Sequence, residues 1–232
     1  MSKSKISMVT MSDKERIWGI VYLLLELLVL PSLLHWANGF LPSPLPDSWL
    51  NFLYFSLNFI FVCFLFRHFL KRSLLHTARN IADFLLVTIG GFGVYYLVNT
   101  LLGFVIGWIA PGFSNLNDGS IALLAQGNFT VMAVGTAVLV PVAEELLHRG
   151  LVFGSLCGKS RTFAYIFSTI LFAAIHVMGY IGLYSLPHLL LAFVQYLPAG
   201  MVLAWTYRKS GTIFSPILIH AAVNTLAILS LR

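Results

Sequence analysis

The sequence predicts an all-α fold: a polytopic transmembrane helix bundle of about seven spans. Three observations lead there. First, 59% of the 232 residues are hydrophobic and only 9% are charged, with mean hydropathy +0.89; soluble domains carry about 25% charged residues. Second, several apolar runs reach the ~20 residues that a bilayer core requires. Third, Lys and Arg cluster in every second loop, as they do when positive loops stay on the cytoplasmic side. Lipid offers no partner to an open backbone, so the spans must be helices. The length suits one membrane domain.

Taken in order, Lys3, Lys5, Lys14 and Arg16 precede a first span over 17–40. No small-residue cleavage signal follows it, so it reads as an uncleaved span and not as a signal peptide. Residues 41–48, "LPSPLPDS", hold no Lys or Arg. The second span covers 49–70 and runs into the basic "RHFLKRSLLHTAR" at 67–79. The third covers 81–110, where Gly103 and Gly107 have the spacing of a close helix contact. The loop 111–127 carries Asp118 and no basic residue. The fourth span, 128–157, precedes Lys159 and Arg161. The fifth, 162–178, precedes an uncharged stretch over 179–186. The sixth, 187–207, precedes Arg208 and Lys209, and the seventh covers 211–231. This alternation places the N-terminus in the cytoplasm and the C-terminus outside, with Arg232 as a single misfit charge. It also accounts for the net charge of +6, so nucleic acid is not an expected partner. Cys63 and Cys157 sit in apolar surroundings and read as packing residues.

Three of the eight acidic residues lie within apolar runs: Glu26, Glu144 and Glu145. Arg149 is the basic residue placed deep within a span. Each such charge costs about 2.5–3.5 kcal/mol at a helix centre and so needs a partner or a task. Glu145 and Arg149 are four apart in the favourable order for a helical ion pair. Glu144 points about 100° away around the helix and stays uncompensated. It is a candidate general base or acid; a charge cluster that only locks helices together is the competing reading.

Two later spans add polar faces. Phe172 and His176 are four apart in "LFAAIH", as are His220 and Asn224 in "PILIHAAVN". Glu144 and His176 stand equally far in sequence from the turn near position 160, about 24 Å along each helix. Glu144, His176, His220 and Asn224 can therefore share one layer. Two chemistries fit. Glu144 could deprotonate a water while the His and Asn side chains orient it and stabilise an oxyanion. Alternatively, His176, His220 and a carboxylate could hold zinc with room for a water. Neither an HExxH motif nor a GxSxG nucleophile occurs.

These residues resemble the motifs of the CPBP family of intramembrane proteases. "EELLHRG" (144–150) is similar to its EExxxR motif, "FAAIH" (172–176) to FxxxH and "HAAVN" (220–224) to HxxxN. The family includes CAAX prenyl endopeptidases and Abi-type bacteriocin-processing and self-immunity proteins. The resemblance covers about 130–231. It implies an all-helical endopeptidase with its active site within the membrane layer. Residues 1–127 would be N-terminal helices of the bundle and 128–232 the catalytic core of one membrane domain. Glu144 would activate water, His176 and His220 would hold the water and the scissile carbonyl, and Asn224 would donate to the oxyanion. Glu145 and Arg149 would support the site, with Phe172 beside the substrate. No cofactor is certain; a divalent metal such as zinc would sit on Glu144, His176 and His220. The family usually has an aromatic residue where this chain has His148, which either tunes Glu144 or packs in its place.

Glu26, His35, Asn99, Gln195 and His188 read as structural residues, Asn99 and Gln195 by hydrogen bonding between helices. The leading expectation is an endopeptidase of a peptide or membrane-protein substrate, either CAAX-type or bacteriocin- or pheromone-type. The alternative is a non-proteolytic immunity or regulatory protein of the same fold. A small transporter is the third reading, weakened by the lack of an internal repeat. A multi-pass protein of the bacterial cell membrane is expected, with no expectation for its oligomeric state.

Overall fold

The computed structural model describes residues 7–231; Lys3, Lys5 and Arg232 lie outside the described residues. The described chain is helical throughout apart from short connections. Helix α1 (Asp13–Leu28) starts on a capping box in which Ser12 and Glu15 satisfy each other's backbone N–H groups. It ends where Pro31 enters. Proline lacks an N–H and clashes with the carbonyl four residues back, so α2 (Leu30–Asn38) leaves at 47°. The single span expected over 17–40 is thus divided into two helices. Helix α3 (Asp47–Leu65) stops before the basic α4 (Arg67–Arg79), which turns Phe69, Ser73 and Thr77 inward.

Helix α5 (Ile81–Ile109) is apolar on all sides and leaves Leu86, Phe104 and Trp108 exposed for lipid. The expected loop at 111–127 contains a short helix, α6 (Leu116–Gly127), capped by the Asn115 side chain. Then come α7 (Phe129–Cys157), α8 (Arg161–Met178), α9 (Leu186–Ser210) and α10 (Phe214–Leu229). Gly211, at φ 74°, turns the chain between the last two, a conformation that favours glycine. Helices α3, α5, α7, α8 and α9 are long and apolar enough to cross a membrane. The bent α1–α2 pair passes the same test only when its two helices are taken together, and α10 is a shorter apolar helix of 16 residues. Each of the seven expected spans falls on one of these segments, in an all-α polytopic bundle with five or six helices of membrane-crossing length.

The expected close contact at Gly103 and Gly107 does not form; a Cβ at either would meet nothing within 4 Å. Close approach occurs at Gly91 instead, where a Cβ would lie 2.4 Å from Thr206 Cγ2, and at Gly200 against Thr169. Small residues there let α5 and α8 reach α9.

The two ends of the bundle are tied differently. At the basic end, Arg72 Nη2 lies 2.8 Å from Glu15 Oε2, and Phe69 N–H donates to Glu15 Oε1 at 2.8 Å. Glu15 thus satisfies an N–H in the first turn of α4 that has no partner within its helix. Tyr207 OH donates to Val9 O, Val9 N–H to Gly211 O at 2.9 Å, and Thr77 Oγ1 to Thr212 Oγ1 at 2.8 Å. At the other end, Asn115 Nδ2 donates to Gln195 Oε1 at 2.8 Å, and Tyr196 OH to Asn115 Oδ1 at 3.0 Å. The Ser120 and Tyr180 hydroxyls lie 2.7 Å apart. Between these ends sits a chamber of about 700 Å³.

Candidate active site

The chamber is built around α7, which departs from α-helical geometry twice. Residues Gly135–Leu139 and Leu146–Phe153 are π-helical and flank an α-helical turn at Val140–Glu145. Such wide turns recur at functional sites. Through the second one, Leu146, Leu147, His148, Arg149, Gly150 and Leu151 are all buried.

The first π turn prepares an acceptor. Val140 N–H bonds Gly135 O. The residue after it, Pro141, has no N–H. Neither nearby donor therefore reaches Thr136 O, and the side chain of Asn224 takes it, Nδ2 to O at 2.9 Å. An amide Nδ2 carries two protons, so one remains for another acceptor.

Glu145 and Arg149 form the ion pair that their spacing predicts, Nη1 to Oε1 at 3.0 Å, with both side chains fully buried. Arg149 Nη2 also donates to Ala199 O at 3.3 Å, and its guanidinium lies 4.1 Å over the Phe172 ring. Phe172 is therefore a packing platform under Arg149. His148 meets the same ring edge-on, at 5.4 Å and 86°. His148 also lines the chamber, and its Nδ1 is buried with no hydrogen-bond partner.

Glu145 has a second partner that helical spacing does not reveal. Its Oε1 lies 2.8 Å from His220 Nδ1. A carboxylate only accepts, so His220 carries a proton on Nδ1 and turns Nε2 toward the chamber. His176 is set the same way: its Nδ1 lies 2.8 Å from Phe172 O, a carbonyl, and so donates. Both Nε2 atoms face Glu144 Oε2, His176 at 3.7 Å and His220 at 4.0 Å. That oxygen is buried and unpaired, although the Glu144 side chain as a whole is 28% exposed. Tyr196 stacks on His176 at 4.2 Å and fixes the plane of its ring.

Glu144, His148, Phe172, His176, His220 and Asn224 thus line one chamber. The kind of donor is right for zinc: two imidazole Nε2 atoms whose Nδ1 atoms are held by acceptors. The spacing is wider than a zinc shell, whose neighbouring ligands stand about 3.4 Å apart at Zn–N ≈ 2.0–2.1 Å. Among the described residues, no group of three or more His, Cys, Asp or Glu side chains is gathered to hold a metal ion.

Several lining residues were not expected. Glu26, read as structural, faces the chamber and accepts from Tyr54 OH. Asn58, Tyr95, Asn115 and Tyr196 also line it. Asn99 bonds Tyr95 O on its own helix rather than a neighbouring one. His188 lies 3.3 Å from Ser114 O, away from the lining.

Residues 126–226 match the family model of Rce1-like type II CAAX prenyl endopeptidases. The resemblance holds. UPF0177 protein YxdF of Lactococcus lactis is 34% identical over 87 residues, 38% of this chain and 42% of that protein. "Putative membrane peptidase YdiL" of Bacillus subtilis is 29% identical over 100 residues, 43% of this chain and 36% of that protein. The chain therefore spans less than half the length of these relatives in the matched region. No solved structure matches. The Rce1-like region holds Glu144, Glu145, His148, Arg149, Phe172, His176, His220 and Asn224. Glu26, Tyr54, Asn58, Tyr95 and Asn115 lie outside it.

Proposed function

We propose that the protein is an intramembrane endopeptidase that hydrolyses a peptide bond in an apolar or membrane-associated substrate. Similarity to the Rce1-like family and to a protein named as a membrane peptidase supports a membrane protease. One observation carries the finer reading. The unpaired Glu144 Oε2 faces the Nε2 atoms of two imidazoles whose Nδ1 atoms are held by Phe172 O and Glu145.

In this reading a water lies among these three acceptors. One O–H points at Glu144 and the other at an Nε2. Glu144 takes the first proton as the water oxygen bonds to the scissile carbonyl carbon. With both imidazoles neutral in this reading, their protons stay on Nδ1 and neither donates to the oxyanion. That task falls to the free N–H of Asn224, held in place by Thr136 O. The carbon–nitrogen bond then breaks, and Glu144 returns its proton to the leaving amine. The products are a carboxylic acid and an amine, and Glu144 is ionised again. No step is routed through a metal.

The test uses the protein reconstituted in liposomes with quenched apolar peptides. Glu144→Gln is expected to lower the cleavage rate by about 10²–10⁴-fold, the usual worth of a general base, with unchanged thermal stability. Undiminished cleavage by a folded Glu144→Gln protein would sink the proposal. Chelation by phenanthroline is expected to leave the wild-type rate intact. Loss of activity with chelator, restored by zinc, would replace the metal-free route with the zinc one.

A further inference from the structure

The chamber has a wall that lies outside the Rce1-like match. Glu26 of α1 and Tyr54 and Asn58 of α3 form it. The three residues are tied into the helix packing: Tyr54 OH donates to Glu26 Oε1, and Tyr22 OH donates to Asn58 Oδ1. Tyr54 engages one carboxylate oxygen and leaves Glu26 Oε2 without a donor among the described residues. An interlock between α1 and α3 alone does not call for a charge. A glutamine would accept the same tyrosine proton without the cost of an ionised group among lipid-facing helices.

The charge balance of the chamber points to what Glu26 is for. Three carboxylates line it, Glu26, Asp118 and Glu144, and no Lys or Arg does among the described residues. Arg149 is nearby but is spent on Glu145, Ala199 O and the Phe172 face. A cation entering this space meets three carboxylates and no Lys or Arg side chain in the lining, and a carboxylate that ionises beside it attracts it strongly inside a low-dielectric wall. An anion meets repulsion from the same groups.

We propose that Glu26 is a specificity residue that binds the ammonium or guanidinium group of a Lys or Arg side chain in the substrate. This deepens the proteolytic reading and rests on it. It names the substrate class as an apolar peptide carrying a basic side chain near the scissile bond. The Rce1-like wall supplies the chemistry, and the α1–α3 wall selects the charge.

The experiment measures binding, which does not require turnover. Apolar peptides carrying one lysine, glutamine or glutamate at each position in turn are titrated onto the Glu144→Gln protein in liposomes. At one or two positions, lysine is expected to bind about tenfold tighter than glutamine, the size of a partly buried ion pair. Adding Glu26→Gln is expected to bring that ratio to about one, and Glu26→Lys to favour the glutamate peptide. Equal affinities for lysine and glutamine peptides in the protein with Glu26 intact overturn the inference, whatever the Glu26 variants do. A lysine preference that survives Glu26→Gln also overturns it. If the charge preference follows Glu26 but wild-type protein cleaves none of the peptides, the subsite stands and the proteolytic reading falls.

Discussion

Glu145 shows how much one side chain can fix. Its Oε1 receives both Arg149 Nη1 and His220 Nδ1. The first bond neutralises a fully buried guanidinium, and the second holds a proton on Nδ1 of the imidazole that faces Glu144. Removing the charge should therefore hurt twice. Glu145→Gln is expected to cost about 3–5 kcal/mol of stability, because it leaves Arg149 uncompensated. Glu145→Gln is also expected to lower activity by about 10–100-fold, the usual effect of losing a carboxylate behind a histidine. Thermal unfolding in detergent and peptide cleavage read the two effects; a normal rate at a lowered melting point would leave Glu145 only the structural part. The pair with Arg149 was legible in the sequence because four residues on a helix fix the distance. The bond to His220 crosses 75 positions, and no spacing rule reaches that far. Glu26 was legible as a carboxylate in lipid-grade sequence. Which wall it faces depended on how α1 packs on α3.

At the scale of the element, α7 is where the pattern in the sequence and the geometry part. Its apolar run identifies one span over 128–157, and the structure has one helix over Phe129–Cys157. The two π turns within it are not legible in the sequence, because the run is apolar on nearly every side and offers no clear periodicity for them to interrupt. Pro141 was visible, but its consequence was not, because that depends on Val140 N–H bonding Gly135 O. The missing N–H at 141 leaves Thr136 O for Asn224. Pro141→Ala is therefore expected to supply a competing donor, release Asn224 and lower kcat several-fold with KM little changed. Loss of an oxyanion donor costs up to about 10²–10³-fold in kcat, and a released Asn224 that still samples its position loses less. Asn224→Ala should give the larger fall. A Pro141→Ala protein with wild-type kcat would show that the Asn224–Thr136 bond has no part in the rate. The break of α1 at Val29 follows the same logic: Pro31 was on the page, yet the apolar run continued through it and read as one span.

At the scale of the whole molecule, the chamber has a direction. Its lining extends to Asn117, Asp118, Gly179, Ser230 and Leu231. All belong to connections or helix ends at the face where α5, α8 and α10 finish and α9 begins. The residues Arg67, Lys71, Arg72 and Arg79 of α4, Lys159 in a connection, and Arg161, Arg208 and Lys209 at helix ends belong to the other face. If positive loops remain in the cytoplasm, the chamber opens away from it, and substrate arrives from outside the cell or from the outer leaflet. Cysteine labelling tests both points at once. In a background with Cys63→Ser and Cys157→Ser, a membrane-impermeant maleimide is expected to modify Asp118→Cys and Ser230→Cys in intact cells. It should modify Ser160→Cys only after permeabilisation. The reverse pattern would place the N-terminus outside and turn the chamber toward the cytoplasm. Labelling at Ser230→Cys that is slowed by a bound apolar peptide would tie this opening to substrate entry, because Ser230 lines the same space as Glu144.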